Sequence, residues 1–202
     1  MKSMYELKPA FQKRLLRITG FLAVCNVNPN QVTLAGILVS CLGGSAVALY
    51  PQQTWPLLMM PLVLFVRMAL NAIDGLLARE YGMESPFGVI LNELGDVFSD
   101  VVLYLPFTLI PGMNTKGIVI LVILAVIVEM TGVLAVQIGA RRNYSGPMGK
   151  SDRALVIGVM GLILGLGVAP GIWTDILINI VIVQSFVTIL NRIRKALKPA
   201  PV

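Results

Sequence analysis

The sequence predicts an all-α protein that crosses a membrane several times. Of its 202 residues, 56% are hydrophobic and only 13% are charged, and the mean hydropathy is +0.83. A soluble domain has about 45–50% apolar and about 25% charged residues, so this chain has too few charges to cover a water-facing surface. Its apolar stretches also approach the length of about 20 residues that a helix needs to cross a bilayer. We therefore expect a polytopic helical bundle.

Six apolar stretches are separated by residues that favour turns, such as Pro51, Pro111-Gly112 and Pro170-Gly171. The predicted spans are Thr33–Tyr50, Trp55–Ala78, Phe87–Ile110, Gly117–Ala140, Ala154–Val168 and Trp173–Leu190. We expect one membrane domain, with an interfacial helix and turn over residues 1–30, six transmembrane helices over 31–194 and a tail over 195–202.

The segment before the first span predicts an amphipathic helix that lies on the membrane surface. Between Lys8 and Arg17, basic and apolar residues are mixed at helical spacing, and no cleavage site follows a short apolar run. This pattern favours an interfacial helix over a signal peptide. Asn30 is the predicted cap of the first span.

The distribution of basic residues predicts the orientation. All Lys and Arg residues except Lys116 and Arg67 fall on the side that contains the N-terminal segment and the C-terminal tail. Because cytoplasmic loops are enriched in Lys and Arg, we expect both termini in the cytoplasm of a bacterial cell, with the protein in its inner membrane. This bias explains the basic pI near 9.6, and the high hydropathy excludes a nucleic-acid partner.

Residue types restrict the chemistry. The chain has no histidine, and its two cysteines, Cys25 and Cys41, are not in a C-x-x-C arrangement. Zinc sites, redox pairs and histidine bases are therefore not expected. Ionisable residues inside spans are costly and mark functional candidates. They are Arg67, Asp74, Glu93, Asp96, Asp100 and Glu129.

Helix geometry places several of these side chains at matching depths. If the second and third spans form an antiparallel hairpin, Asp74 faces Asn92, Asn71 faces Asp96, and Arg67 faces Asp100, since each residue adds about 1.5 Å along a helix. We expect Arg67 and Asp100 to form a structural ion pair. Glu129 has the depth of the Asn71 layer, so it either joins this cluster or bonds to a neighbouring helix.

The two facing polar stripes predict a cleft that opens to the cytoplasm. Clustered carboxylates and amides suit Mg²⁺ or Mn²⁺, which prefer oxygen ligands. A metal ion beside basic loops indicates an anionic substrate such as a phosphate or pyrophosphate, and the chemistry then needs charge neutralisation, alignment and a base. The predicted metal ligands are Asp74, Asp96, Asn71 and Asn92.

The segment from Asn71 to Asp96 resembles the signature of the CDP-alcohol phosphatidyltransferases, D-x2-D-G-x2-A-R-x8-G-x3-D-x3-D. The resemblance implies transfer of a phosphatidyl group from CDP-diacylglycerol to a hydroxyl acceptor, with release of CMP. It implies two divalent cations held by motif aspartates, among them Asp74, and Asp96 as the general base. The implied donor-binding residues include those of a matching entry sequence, Asn28 to Thr33, and are Asn30, Thr33, Asp74, Gly75, Ala78, Arg79 and Gly88. The family is generally homodimeric, and we expect the same of this protein.

Two positions depart from the family pattern, because Asn71 and Asn92 stand where the family has aspartates. Asparagine offers a carbonyl oxygen but no charge, so the second cation should bind weakly or elsewhere. Glu93, Asp100 or Glu129 are candidates to compensate.

The acceptor side is predicted from basic residues that follow the fourth span and end the sixth. Lys150 and Arg153 begin a helix after a Gly-Pro turn, where backbone N–H groups also face an anion. Family members with phosphorylated acceptors use basic residues at the start of the fifth helix and near the end of the sixth, so the resemblance implies Lys150, Arg153 and Arg192 as acceptor contacts. An anionic acceptor fits them, glycerol 3-phosphate best, with inositol phosphate or serine behind it. The alternative interpretation is that these cations anchor the protein to lipid headgroups.

Glycines on the fifth span, including Gly161 and Gly165, predict close helix packing or, alternatively, a dimer face.

Two other functions stay open at this stage. The acidic residues suit a small ion or solute transporter, and the two asparagines suit a catalytically silent protein that binds lipid or nucleotide.

Overall fold

The computed structural model describes residues 15–140 and 146–197, and within these ranges the chain is helical with no strand. In chain order, the helices of these ranges are α1 (Leu15–Val24), α2 (Pro29–Leu49), α3 (Trp55–Glu80), α4 (Pro86–Tyr104), α5 (Thr115–Gln137), α6 (Lys150–Gly165) and α7 (Ile172–Ala196). The all-α prediction is confirmed. Residues 1–14, which include the first part of the predicted interfacial helix, lie outside the described ranges.

Four helices, α2, α3, α5 and α7, are long and apolar enough to cross a membrane. The other two predicted spans differ for separate reasons. The α4 helix carries the carboxylates Glu93, Asp96 and Asp100, and α6 has only 16 residues. The count of six spans therefore stays a prediction.

Helix starts follow local capping chemistry, and one predicted cap is wrong. The first span begins at Pro29, and its cap is Asn28 rather than Asn30, because the Asn28 side chain accepts from the Asn30 N–H while Gln31 accepts from the Asn28 N–H. Proline at the first helical position fits because its missing N–H has no partner there. Ser85 caps α4 in a similar way through the Gly88 N–H.

The third predicted span is interrupted near its end. The α4 helix ends at Tyr104, and a short 3-10 helix follows over Leu105–Leu109. Pro106 has no N–H to continue the α-helical pattern, which explains the change.

Glycines let particular helices approach closely within the chain. A Cβ atom on Gly44 of α2 would lie 2.1 Å from the Val102 carbonyl oxygen of α4, and one on Gly165 of α6 would lie 2.7 Å from the Leu58 nitrogen of α3. Gly161 likewise faces Met60 of α3 at 3.1 Å. The prediction of close helix packing is therefore confirmed for α6. Because α3 covers this glycine stripe inside the chain, the stripe is not open to a second copy as a dimer face.

Candidate functional site

Asp96 lies at the centre of the predicted cleft, on the face of α4 that meets α3. Asn71 donates from Nδ2 to Asp96 Oδ1 at 2.5 Å, and Arg67 donates from Nη2 to the Asp96 carbonyl oxygen at 2.8 Å. Lys150, the first residue of α6, forms an ion pair with the same Oδ1. Three helices thus meet at one carboxylate.

Asp74 is held by a helix that the hairpin argument did not include. Its Oδ2 accepts a hydrogen bond from Thr33 Oγ1 of α2 at 2.8 Å, and the residue is buried. Asp74 also lies within electrostatic range of Asp96 and Lys150. The two carboxylates therefore face a common region at the end of the bundle where α2 and α6 begin and α3 ends.

The predicted depth layers are confirmed in two of three cases. Asn71 bonds to Asp96, and Arg67 Nη1 bonds to Asp100 Oδ1 at 2.5 Å. The facing of Asp74 and Asn92 stays a prediction, since the bond described for the Asp74 side chain is to Thr33 and Asn92 is half-buried. A hairpin alone determines depth, but the third helix packed against it supplies the competing partner.

Glycine and its neighbours shape the predicted donor side. A Cβ on Gly75 would meet the Arg79 guanidinium at 3.2 Å, and a Cβ on Gly88 would meet Asn30 Oδ1 at 2.7 Å. Ala78 is half-buried on the same helix as Arg79, whose side chain is exposed. The sequence-predicted donor residues therefore cluster around the first turns of α2 and α4 and the last turns of α3.

Behind the cleft, buried ion pairs connect five helices. Asp100 accepts from Arg67 at 2.5 Å and from Arg153 at 2.9 Å. Arg153 also donates to Glu129 at 2.8 Å, and Arg192 lies 3.7 Å from the other Glu129 oxygen. The predicted Arg67–Asp100 pair is confirmed, and it is part of a larger network. The sequence left two roles open for Asp100 and Glu129, a structural ion pair or compensation for the missing motif aspartates. Both side chains pair with arginines, which is the structural role.

The three predicted acceptor cations differ in their surroundings. The Lys150 side chain is 21% exposed and meets Asp96. Arg153 is fully buried between Asp100 and Glu129, and Arg192 is buried and donates to the Val128 carbonyl oxygen. Of these three cations, Lys150 is the one whose side chain is partly exposed.

The oxygen donors present fit one hard cation better than two. Within the described residues, no group of three or more Asp, Glu, Cys and His side chains is arranged to hold a metal ion. Asp74 and Asp96 supply the charge, and Asn71 and Asn92 are the neutral oxygen donors that the sequence predicts, with the Asn71 amide turned so that its Nδ2 donates to Asp96. Since Mg²⁺ and Mn²⁺ accept mixed carboxylate, amide and water ligands, this set suits a single ion that keeps several waters.

Sequence reasoning missed the residues that place Lys150. Met148 N–H donates to Thr188 Oγ1 of α7 at 3.0 Å, and the Gly149 N–H donates to Asp152 Oδ2 at 3.0 Å. The Gly-x-x-Asp spacing at Gly149 and Asp152 was a readable capping signal. Thr188 carried no signal, because nothing local links α7 to the start of α6.

A family model for CDP-alcohol phosphatidyltransferases matches residues 26–191, most of the chain. The chain belongs to the CDP-alcohol phosphatidyltransferase family. The family resemblance seen in the Asn71–Asp96 segment is therefore confirmed, and with it the enzyme class.

Relatives of known name extend this result. The chain is 42% identical to the inner membrane protein YnbA of Escherichia coli, with 96% of each chain covered. It is 34% identical to an archaetidylinositol phosphate synthase of Pyrococcus horikoshii over 47% of this chain and 48% of that one. It is 26% identical to a phosphatidylinositol phosphate synthase of Mycolicibacterium smegmatis over all of this chain and 91% of the relative. Together with the apolar helices, these relatives indicate an integral membrane protein.

Solved structures show the same fold. The phosphatidylinositol phosphate synthase of Mycobacterium tuberculosis with CDP-DAG bound matches with a TM-score of 0.74 at 17% identity, covering 92% of this chain and 98% of that chain. The same enzyme in complex with manganese and citrate matches with a TM-score of 0.73 at 19% identity, covering 92% of both chains. At these identities the likeness concerns the helical arrangement.

Proposed function

We propose that this protein transfers the phosphatidyl group of CDP-diacylglycerol to the hydroxyl group of a small acceptor and releases CMP. Family membership supports the reaction class, and the structural neighbour with CDP-DAG bound supports the donor. The observation that carries the proposal is the pair Asp74 and Asp96, on facing helices at the end of the bundle where the glycines of the motif also lie.

In the reaction, the acceptor oxygen attacks the phosphorus that carries the diacylglycerol group, and the bond from that phosphorus to the CMP oxygen breaks. The acceptor's proton passes to Asp96. The contacts described on this carboxylate, from Asn71, Lys150 and Arg67, all reach Oδ1, which leaves Oδ2 to face the acceptor hydroxyl. Thr33 holds Asp74 in one orientation by its hydrogen bond.

A Mg²⁺ or Mn²⁺ ion bound by Asp74, Asp96 and the neighbouring amides of Asn71 and Asn92 would neutralise the pyrophosphate and stabilise the CMP leaving group. The manganese in a related structure supports this cofactor class. The nucleotide would lie beside Gly75 and Gly88, whose missing side chains let the Arg79 guanidinium and the Asn30 amide approach the helix backbone, with Ala78 on the same helix as Arg79.

The acceptor is a phosphorylated alcohol in this proposal. Lys150 is the partly exposed cation of the predicted acceptor set, and Arg153 and Arg192 are buried. Glycerol 3-phosphate fits such a site, and the names of two relatives favour an inositol phosphate as a second candidate.

The membrane arrangement follows from the same proposal. We propose six spans, in which α4 and α6 cross beside the four more apolar helices, with both termini and the cleft at the cytoplasmic face. Membrane lipids surround the exposed apolar faces, such as those of Leu38 and Phe186, and the chain acts as a homodimer.

The decisive experiment incubates the purified full-length protein with CDP-diacylglycerol, Mg²⁺ or Mn²⁺, and either glycerol 3-phosphate, inositol phosphate or serine. We expect release of CMP with one phosphorylated acceptor, loss of release when the metal is chelated, and a lipid product whose mass identifies the acceptor. Absence of CMP release with every acceptor, although the protein binds CDP-diacylglycerol, would instead support the catalytically silent binding protein that Asn71 and Asn92 suggest.

A further inference from the structure

Lys150 places a fixed positive charge at the carboxylate where a second metal ion would otherwise be needed. Its ammonium group pairs with Asp96 Oδ1, and the two side chains are 21% and 16% exposed, so the pair is partly accessible at the predicted cleft. We infer that Lys150 takes the place of the second divalent cation in this chain. This inference rests on the proposed transferase function and names the residue that adapts the site to its two asparagines.

The charges of the site support one metal ion together with one lysine. Asp74 and Asp96 carry two negative charges, which a single divalent cation cancels, and Lys150 then leaves one positive charge facing the pyrophosphate. A second divalent cation would add two further positive charges without any new carboxylate to balance them. Since such ions are held mainly by electrostatic attraction, Lys150 should oppose the second ion directly.

Asn71 is oriented consistently with this arrangement. Its Nδ2 donates to Asp96, while its Oδ1 lies against Gly36 of α2, 3.5 Å from the position of a Cβ there. An aspartate at position 71 could not donate to Asp96 and would repel it. Asn71 and Lys150 therefore act together on Asp96 Oδ1, one as a neutral donor and the other as a cation.

The position of Lys150 is built by contacts on both sides of it along the chain. Before it, Met148 is bonded to Thr188 of α7; after it, Asp152 caps the helix start at the Gly149 N–H. One residue further, Arg153 is held by Asp100 and Glu129. These anchors keep the lysine at the cleft before any substrate binds. The same ammonium group can also face an anionic acceptor, because donor and acceptor both approach Asp96.

The test counts Mn²⁺ ions bound to the full-length protein in detergent, from the electron paramagnetic resonance signal of free Mn²⁺, without substrate. We expect one bound ion in the unaltered protein. Lys150→Gln should still bind one ion but about tenfold more tightly, because a like charge has been removed. Lys150→Arg, which keeps the charge, and Lys116→Gln, which lies at the start of α5, should bind as the unaltered protein does.

The reverse change provides the second measurement. The triple variant Asn71→Asp, Asn92→Asp, Lys150→Gln should bind two ions, and restoring Lys150 in it should weaken the second ion about tenfold. Two ions on the unaltered protein, or equal affinity in Lys150→Gln, would overturn the inference. Neither of these metal-binding results bears on the proposed transferase function, because that function is tested separately by CMP release and fails only if no acceptor yields CMP.

Discussion

Arg153 and Asp100 form a fully buried ion pair, with Arg153 Nη2 donating to Asp100 Oδ2 at 2.9 Å. This contact joins the 16-residue helix α6 to the helix that carries the predicted base. Because Arg153 is three residues after Lys150, the pair also determines where the lysine lies. The buried network is thus part of the framework of the site rather than an open binding surface.

Arg153→Met should destabilise the protein strongly, because it removes the buried arginine that donates to both Asp100 and Glu129 and leaves Glu129 with Arg192 alone at 3.7 Å. Loss of one member of a buried pair costs about 3–5 kcal/mol. Thermal unfolding of the purified protein in detergent measures the effect. Arg194→Met, which removes an exposed arginine of α7, is the matched control, and equal melting temperatures for the two variants would contradict a structural role for the network.

Asp96→Asn should reduce CMP release by about 10²- to 10⁴-fold, the range for loss of a general base, while CDP-diacylglycerol binding stays measurable. The amide keeps the size of the side chain and can still contact Asn71. Asp175→Asn, at the opposite end of the bundle in the first turn of α7, serves as the control. Unchanged turnover in Asp96→Asn would remove the assignment of the base.

Thr33→Val should weaken metal-dependent donor binding about tenfold, because a hydrogen bond to a charged group contributes about 1.5–3 kcal/mol and Asp74 would lose the donor that orients it. Thr33→Ser keeps the hydroxyl and should restore binding. The measurement is the concentration dependence of CMP release on CDP-diacylglycerol. If Thr33→Val and Thr33→Ser show the same dependence on CDP-diacylglycerol concentration, the Thr33–Asp74 hydrogen bond does not contribute to donor binding.

Gly165→Ala should lower stability by about 1–3 kcal/mol, the usual cost of overpacking, since its Cβ would lie 2.7 Å from the Leu58 nitrogen. Gly158→Ala, whose Cβ would meet Leu64 at an ordinary 3.4 Å, is the control on the same helix. Melting temperature and oligomeric state are measured together. If Gly165→Ala changed the oligomeric state and left the stability unchanged, the glycines of α6 would instead form a dimer face.

The helix positions and the contacts between helices adjacent in the sequence were predictable from the sequence. The long apolar stretches predicted the positions of the main helices, and antiparallel geometry predicted the contacts of Arg67 with Asp100 and of Asn71 with Asp96. These two contact predictions succeeded because a short loop fixes the register of two adjacent helices. The depth of each residue in the bilayer then follows from its number along the helix. The signature between Asn71 and Asp96 likewise predicted the family.

The contacts between helices distant in sequence were decided only by the tertiary structure. The sequence did not show that Thr33 would bond to Asp74, that α6 would pack its glycines on α3, or that Arg153 would reach Asp100. Each of these contacts depends on which helix faces meet in the bundle. The apolar face of one helix can pack against several different neighbours, so its sequence does not determine which one it meets. The choice is made by close backbone approach at glycines and by the need of every buried charge for a partner. For that reason the contact of Lys150 with Asp96 was decided only in the folded bundle, and its role at the acceptor stays a prediction.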